Sequence, residues 1–447
     1  MIGAATMPGA RRRLPLVVWV LGAVAFLMGT SELIVVGLLP QFAATFSVPT
    51  ADAGLLVTVF AVGMMLGAPV MSLATLRMSR RTALIAALLA FAAAQVVIAV
   101  SVVFPLTLVA RFVAAAANGT FWAVGAVVAT AAVGAGSSAR AMSVMVSGFT
   151  LANVVGAPLG TVLGLALGWP GPFLVLAALS LAATVLVVRQ VPADRPARTD
   201  VRSAVRSELA VLKRPSMWSI YAATALIPGG LLATYSYVAP LLIDRAHLPS
   251  AVVPLGLLAY GLGSLAGVVL AGRWGDHRPL LVLVAAVGVL VAVQAAMALW
   301  GDDGPLTIAL LVVLGAAGLI VNPVLVAFVV RATDGENTLA VALSTSAFNL
   351  GIALGSALGG VALSGALGLQ GPPVVGSVLT GLALLPLAAL AWSGRRRAPA
   401  FGGPTAGEPL VPQEAGDIRR SADDERSRMQ RIPARGPSTR TGRGSGR

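Results

Sequence analysis

Residues 15–39 read PLVVWVLGAVAFLMGTSELIVVGLL, an apolar run broken only by a short polar stretch that ends in Glu32. A helix needs about 20 apolar residues to cross the roughly 30 Å hydrocarbon core of a bilayer, so this run has the length of a membrane span. It is long for the apolar part of a signal peptide, and it contains an acid. We therefore interpret it as a first transmembrane helix.

Eleven further apolar runs of similar length follow, and the composition agrees with them. The chain of 447 residues is 57% hydrophobic and 11% charged, with a mean hydropathy of +0.90, whereas soluble domains are roughly 25% charged. Open strands would leave backbone groups unpaired in lipid, so the spans must be helices. The runs predict an all-α integral membrane protein with twelve spans: 15–39, 51–73, 82–103, 105–131, 141–165, 172–191, 216–243, 251–272, 279–300, 305–330, 338–365 and 372–393.

Prolines at the ends of these runs and two polar stretches set the predicted domain limits. Prolines mark the joints between spans, and Pro40 is expected to end the first one. The predicted parts are a cytoplasmic N-terminus at 1–14, a six-helix bundle at 15–191, a charged cytoplasmic linker at 192–215, a second six-helix bundle at 216–393 and a tail at 394–447. The tail is too poor in large apolar residues to bury a core and is expected to be disordered. It is a solvated segment or a lipid-binding one.

The arginines predict which side of the membrane each connection occupies. Loops on the cytoplasmic side carry an excess of Lys and Arg. With twelve spans, nearly all arginines fall in alternate connections, and the intervening ones contain a single arginine, Arg245, beside acids such as Asp52 and Asp302. Both termini are therefore predicted to be cytoplasmic, and the protein is predicted to lie in the plasma membrane.

Several function classes are excluded by the same inspection. The net charge of +14 does not indicate nucleic-acid binding, because the arginines separate apolar runs or lie in the tail. The chain has no cysteine, and His247 and His277 have no cluster of metal ligands near them in sequence. There is no phosphate-binding Gly-Lys-Ser/Thr loop. A membrane sensor would carry a folded signalling domain, and a membrane enzyme would carry a paired-acid, metal or nucleophile cluster. We therefore predict a transporter that is not an enzyme, needs no cofactor and uses a proton gradient.

The two halves of the chain repeat each other. Phe149, Leu151 and Gly156 of the fifth span match Phe348, Leu350 and Gly355 of the eleventh, 199 positions later. The second and eighth spans align at an offset of 200, with Gly63 on Gly263 and Gly67 on Gly267. A six-helix unit repeated in parallel is a transporter architecture that places the substrate site between the halves.

Small residues recur every four positions in the fifth span. The stripe consists of Gly148, Ala152, Gly156, Gly160 and Gly164, and Pro158 lies within it. Such a face allows a neighbouring helix to approach closely, and the proline is expected to kink the helix. The stripe is either a static packing surface or an interface that moves during transport, and the copy in the eleventh span favours the moving interface.

These residues resemble those of a known family. Gly148 to Gly164, with Gly156-Ala157-Pro158-Leu159-Gly160 at the centre, is similar to the fifth-helix motif of drug:proton antiporters in the major facilitator superfamily. Arg111 matches the arginine motif of the fourth helix in that superfamily. The stretch from Gly29 to Pro40 resembles the branch of chloramphenicol-resistance and sugar-exporter-like proteins. The resemblance implies the major facilitator fold and efflux by alternating access. The implied partners are a small-molecule substrate, protons and the lipid bilayer, with the protein acting as a monomer.

One motif departs from the superfamily pattern. The connection between the second and third spans keeps its basic residues, Arg77, Arg80 and Arg81, but has Leu76 where the second half has Asp276. Asp276 is expected to approach the start of the fifth span, where the helix N-terminus and Arg140 both favour an anion. The hypothesis is a cytoplasmic gate that closes the inside in the outward-open state. Its predicted members are Asp276, Arg273, Arg278, Arg77, Arg80, Arg81 and Arg140.

Glu32 and Arg111 are the only acid and base within the spans and clear of their ends. A charge inside a bilayer costs at least about 2.5–3.5 kcal/mol, so each is expected to face a partner or a water-filled cavity. Counting from Leu39 and Pro105 places both roughly 9–10 Å inside the outer end. Water or substrate entering between them could change the proton affinity of Glu32, which proton coupling requires. The alternatives are substrate contact without protonation, or a permanent ion pair that orients two helices.

Other polar or aromatic residues within spans are candidates for the substrate cavity. They are Asn118, Trp122, Asn153, Tyr235 and Asn349. Each amide could equally form a hydrogen bond between helices, and each aromatic residue could be an interface anchor. The predicted substrate is a small amphiphilic molecule, with chloramphenicol-like phenicols as the leading named candidate by resemblance. The alternative is a sugar, a nucleoside or an endogenous secondary metabolite.

Overall fold

The computed structural model describes residues 14–75, 78–133, 137–192, 215–274, 278–332 and 338–397. Within these ranges it has twelve helices long and apolar enough to cross a membrane, which confirms the predicted all-α membrane fold. We number them α1 to α12, and several consist of consecutive segments. They are α1 Leu16–Phe46; α2 Leu55–Thr75, preceded by the short helix Thr50–Ala53; α3 Arg80–Val100; α4 Phe104–Val133; α5 Ser138–Leu151, Ala152–Gly156 and Ala157–Leu167; α6 Pro170–Gln190; α7 Pro215–Tyr235; α8 Val253–Trp274; α9 Pro279–Trp300; α10 Gly304–Ala332; α11 Thr338–Ser364; and α12 Gly371–Leu382 and Leu384–Arg397.

Helix α1 extends further than predicted. Pro40 does not end it; the helix continues to Phe46 and stops at Ser47, which has a positive φ of 53°. The continuation buries Phe42, whose ring lies 4.6 Å from that of Trp169 and 5.8 Å from that of Phe173, measured between centroids. Aromatic packing of this kind outweighs the loss of one backbone donor at the proline. The helix end was therefore wrong by about two turns.

Helix α5 contains a wider turn before its proline. Residues Ala152–Gly156 are π-helical, and the α-helix resumes at Ala157 with Pro158 in its first turn. Proline has no N–H to donate and clashes with the carbonyl one turn before it, so a local change in hydrogen-bonding pattern relieves the contact. The sequence predicted a kink here but not a π-helical segment.

The small-residue stripe of α5 packs against α1 within the same half. A Cβ at Gly148 would meet the carbonyl oxygen of Gly22, and at Gly160 it would meet Ile34. The remaining pairs are Gly156 with Thr30 and Gly164 with Leu38. In the second half, Gly351, Gly355 and Gly359 of α11 face Ala225, Gly229 and Ala233 of α7 in the same manner. Whether these interfaces move stays a prediction.

The hydrophobic core is continuous at one end of the molecule and divided at the other. We call these the Phe46 end and the Leu16 end, after the two ends of α1. One buried cluster joins residues of both halves at the Phe46 end, among them Leu38, Leu56, Tyr237 and Leu257. Toward the Leu16 end, a second cluster contains only first-half residues and a third only second-half residues. Among the described residues, the halves are therefore packed together at the Phe46 end and have separate cores at the Leu16 end.

Candidate transport site

Arg111 lies at the centre of the first half and is fully buried. It reaches from α4 to two other helices: its Nη1 donates to the Ser31 carbonyl of α1 at 3.0 Å, and its Nε donates to the Leu56 carbonyl of α2 at 3.3 Å. The guanidinium carbon also lies 4.3 Å from the centroid of the Phe60 ring. Backbone carbonyls and a ring face compensate part of the desolvation of a buried cation. Arg111 therefore holds α1, α2 and α4 together.

Glu32 follows Ser31 on α1 and so lies near Arg111, but it does not form a direct ion pair with the arginine. Its Oε2 accepts a hydrogen bond from Asn118 Nδ2 of α4 at 3.4 Å, and the opposite charge of Arg111 acts on it through space. Because α1 continues to Phe46, Glu32 is about two turns deeper in the helix than the count from Leu39 predicted. Counted along α4, however, Arg111 lies seven residues after Phe104, close to the count from Pro105. The depth of the pair in the bilayer stays a prediction, and the two residues belong to one group of contacts.

This group of contacts, which we call the α1 polar cluster, consists of five residues: Ser31, Glu32, Gln95, Arg111 and Asn118. Gln95 of α3 donates to Ser31 Oγ at 2.6 Å. Three buried atoms of the cluster have no hydrogen-bond partner among the residues that the structure describes: Gln95 Oε1, Arg111 Nη2 and Asn118 Oδ1. Unpartnered buried polar atoms are costly and mark places where water or a ligand can bind. Sequence reasoning did not assign Gln95 and Ser31 to the site, although a glutamine inside an apolar span was a visible signal.

A second group of polar contacts crosses between the halves. Asn153, in the π-helical segment of α5, donates to Ser264 Oγ of α8 at 3.3 Å, and its Oδ1 has no partner in the described part of the chain. One turn away on α8, Tyr260 stacks on Tyr235 of α7 with ring centroids 3.9 Å apart. The Tyr235 hydroxyl is buried and has no hydrogen-bond partner within the described ranges. The structure thus brings two of the predicted cavity residues, Asn153 and Tyr235, to the junction of the halves.

The other two cavity candidates make more local contacts. Trp122 is half-buried and packs edge-on against Phe121 and Phe149. Asn349 is buried and donates to the Thr345 carbonyl one turn earlier in its own helix. Neither contact involves the α1 polar cluster.

A set of contacts that the sequence did not predict closes the Phe46 end. The Tyr237 hydroxyl donates to the Ser356 carbonyl of α11 at 3.0 Å and lies 3.4 Å from the Ala51 carbonyl of the short helix before α2. Ser356 Oγ in turn bonds to the Gly54 carbonyl. Because Gly54 has no side chain, the Tyr237 ring can pack directly against it. We call these four residues the Tyr237 contact; they join second-half helices to the start of α2.

The predicted cytoplasmic gate is only partly visible. Asp276 and Arg77 lie outside the described residues. Arg80, Arg140, Arg273 and Arg278 are exposed at the Leu16 end, and Arg81 is partly exposed there. The gate therefore stays a prediction.

Arg245, the exception to the arginine pattern, has a structural role. It is buried at the Phe46 end, where it donates to Asp302 and to the carbonyls of Met297 and Ala298 in the last turn of α9. A cation at a helix C-terminus satisfies free carbonyls and interacts favourably with the helix dipole.

Comparison with known proteins agrees with this architecture. The family model for the Major Facilitator Superfamily matches residues 21–334 and 250–423. The chloramphenicol resistance protein of Streptomyces lividans is 35% identical over 373 residues, which are 83% of this chain and 95% of that protein. The inner membrane transport protein YdhP of Escherichia coli K12 is 34% identical over 371 residues, 83% of this chain and 94% of that one.

A solved structure shares the fold at low identity. A bacterial homologue of the human lysosomal transporter Spinster, in an inward-facing and unoccupied conformation, superposes with a TM-score of 0.69 at 15% identity. The superposition covers 87% of this chain and 98% of that structure. With twelve membrane-spanning helices and these relatives, the protein is a multi-pass plasma-membrane transporter rather than an enzyme, and the chain belongs to the Major Facilitator Superfamily.

Proposed function

We propose that the protein is a proton-coupled exporter of a small amphiphilic molecule, working by alternating access. The observation that carries this proposal is the α1 polar cluster, in which Glu32 and Arg111 share one buried site without a direct ion pair. A carboxylate in this position can take up and release a proton without breaking a salt bridge first. The unpartnered Nη2 of Arg111 offers a hydrogen-bond donor to a substrate or a water molecule.

In this mechanism Glu32 is the protonation site and Arg111 is its electrostatic partner. Protonation removes the charge of Glu32, so its interaction with Arg111 and Asn118 weakens and the site becomes less polar. Substrate entering the same site would favour release of that proton. Proton and substrate then occupy the site alternately, as an antiporter requires.

The orientation that goes with this proposal places the Leu16 end in the cytoplasm. The conformation, packed at the Phe46 end and with separate cores at the Leu16 end, is then open toward the cytoplasm. Closure of the Leu16 end in the other state is assigned to the gate formed by Asp276 and the surrounding arginines. The junction residues Asn153 and Tyr235 would line the path of the substrate between the two halves.

The substrate class rests on relatives and on residue chemistry. A relative named as a chloramphenicol resistance protein supports a phenicol-like compound. The Tyr235–Tyr260 pair, buried in this conformation, is proposed to supply ring contacts to it. A probable sugar efflux transporter of Mannheimia succiniciproducens, 26% identical over 368 residues, supports the alternative of a sugar or another polyhydroxylated compound. That alternative predicts transport governed by the amides Asn118 and Asn153 and indifferent to loss of the aromatic pair.

Inverted membrane vesicles containing the protein test the proposal. An imposed inside-acid proton gradient should partly collapse on addition of a transported compound from a panel of phenicols, sugars and nucleosides. Glu32→Gln should abolish the response at unchanged expression, whereas Asp244→Asn, which removes an exposed carboxylate outside the spans, should retain it. A folded and inserted wild type that responds to none of the compounds, or a Glu32→Gln variant with a full response and unchanged pH dependence, would contradict proton antiport.

A further inference from the structure

The second half contains a groove that lies outside the α1 polar cluster and shares only Arg278 with the predicted gate. It has a volume of about 560 Å³ and lies between α8 and α9, which diverge from each other while both pack on α10. Its walls are apolar, and four alanines, Ala285, Ala286, Ala316 and Ala317, keep it open. Close backbone approach of α8 to α10 at Gly263 and Gly267 fixes one side of the groove.

The extent of the groove matches one leaflet of a bilayer. On α9 the lining runs from Leu281, in the first turn, to Val289, in the middle of the helix. Val289 lies ten residues after Pro279, which corresponds to about 15 Å of helix, or half of a roughly 30 Å hydrocarbon core. The groove therefore begins at the membrane surface and ends near the midplane.

The surface end of the groove is cationic and amphipathic. Arg278 lines it there, with Trp274 beside it, and both side chains are exposed. The backbone N–H of Arg278 bonds to the Trp274 carbonyl, which keeps the two residues together. Arg278 is also the N-cap of α9 and gives the helix no side-chain cap. Pro279 has no N–H and the Val282 N–H bonds to the Arg278 carbonyl, so the N–H groups of Leu280 and Leu281 are the ones left for an anion. A tryptophan at this level is a typical interface anchor.

We propose that this groove binds an anionic phospholipid, with one acyl chain between α8 and α9 and the phosphate at Arg278 and the α9 N-terminus. The positive charge of Arg278 at the surface end of the groove favours an anionic headgroup over a zwitterionic one. The apolar part of the groove has the length of one leaflet and accommodates the acyl chain. Basic pockets between transmembrane helices at the membrane surface are known to bind such headgroups.

Native mass spectrometry of the purified full-length protein tests this proposal by exchange with phosphatidylglycerol or phosphatidylcholine of matched chains. Wild type should retain phosphatidylglycerol in excess. Arg278→Gln should lower that preference by about fivefold, as expected for loss of one arginine at the membrane surface. Ala285→Leu fills the groove from an exposed position and should reduce retention of both lipids.

Matched controls separate the groove from general lipid contact. Arg189→Gln and Ala182→Leu make the same changes at exposed positions of α6 and should leave retention unchanged. Equal retention of the two lipids by wild type, or an equal loss in the α6 controls, would overturn the proposal. So would displacement of phosphatidylglycerol by inorganic phosphate alone, since it would show an anion site without a chain-binding groove. The readout is lipid retention, so the result does not depend on proton coupling.

Discussion

The two halves of the transporter contain matching glutamines with different surroundings. Gln95 on α3 and Gln294 on α9 lie 199 positions apart, and each bonds to a hydroxyl on the first helix of its own half. In the second half, Thr234 donates to Gln294 Oε1 at 2.7 Å, and Gln294 Nε2 donates to Thr380 at 3.1 Å. In the first half, Gln95 Oε1 has no partner among the described residues, and Arg111 donates to the carbonyl of Ser31, the serine that Gln95 contacts.

The comparison indicates a division of roles between the copies. A buried polar network whose members are all satisfied stabilises one arrangement of helices. A network with unpartnered atoms and a charge is costly on its own and is retained where function requires it. We therefore expect substitutions in the first-half cluster to affect transport, and substitutions around Gln294 to affect stability.

Among the variants that compare the two halves, the largest effect is expected from Arg111→Lys. A lysine ammonium is a compact point charge and cannot span from the Ser31 carbonyl to the Leu56 carbonyl as the guanidinium fork does. Substrate-driven proton flux should fall by about 30-fold or more, equivalent to loss of one or two charge-assisted hydrogen bonds. Flux is measured in inverted vesicles at matched amounts of protein. A lysine variant with at least half of the wild-type flux would contradict a role of the Arg111 guanidinium in transport.

Gln294→Leu should destabilise the protein while leaving transport largely intact. The change removes hydrogen bonds to Thr234 and Thr380 in a buried site, at a cost of about 1–3 kcal/mol. The thermal midpoint in detergent should fall by a few degrees, with the flux per folded molecule within about twofold of wild type, since this network satisfies its own polar groups. A strong loss of flux with an unchanged midpoint would contradict the division between the halves.

Gln95→Leu should show the opposite pattern. Ser31 keeps its contacts with Arg111, and removal of the unpartnered Oε1 offsets the lost hydrogen bond, so the midpoint should change little. Flux should fall by about three- to tenfold if the cluster orients the coupling site, because the lost hydrogen bond is worth about 1 kcal/mol. Measured beside Gln294→Leu in the same membranes, this variant provides a direct comparison of two equivalent positions.

The smallest effect is expected from Tyr237→Phe, which removes one hydroxyl from the Tyr237 contact. The chain contains no cysteine, so Ala51→Cys provides a single reactive thiol at the Phe46 end. Loss of the bonds to Ser356 and Ala51 should raise labelling of that thiol by an impermeant maleimide about threefold, as expected for a weakening of roughly 0.5–1.5 kcal/mol. Tyr221→Phe, whose hydroxyl bonds to the Ala340 carbonyl near the Leu16 end, is the matched control and should leave labelling unchanged.

The sequence predicted the features that depend on local composition. Twelve apolar runs, two polar breaks and a repeated Gly pattern were sufficient for the fold, and the cost of a charge in lipid was sufficient to select Glu32 and Arg111. The details that failed depend on contacts between distant segments. Burial of Phe42 against Trp169 carries α1 past Pro40, and no pattern near residue 40 contains that information.

The site was less predictable for the same reason. The arrangement of Ser31, Gln95 and Arg111 depends on how α1, α3 and α4 are rotated against each other. The position of Tyr237 depends on the space left by Gly54, a residue of the opposite half. Periodicity indicates which residues share a helix face, but not which other helix of the fold packs against that face.

The π-helical segment of α5 has a consequence for helical phase. In an α-helix each residue advances by 100°, so positions four apart drift by about 40° per step, and a five-membered stripe would wind almost halfway round. Gly148 and Gly164 nevertheless both meet α1, at Gly22 and Leu38. The wider turn at Ala152–Gly156 takes up part of this drift and resets the phase in mid-helix. A deletion of one residue within that turn would rotate Gly160 and Gly164 away from the shared surface, so the contact of both glycines with α1 depends on the irregular turn.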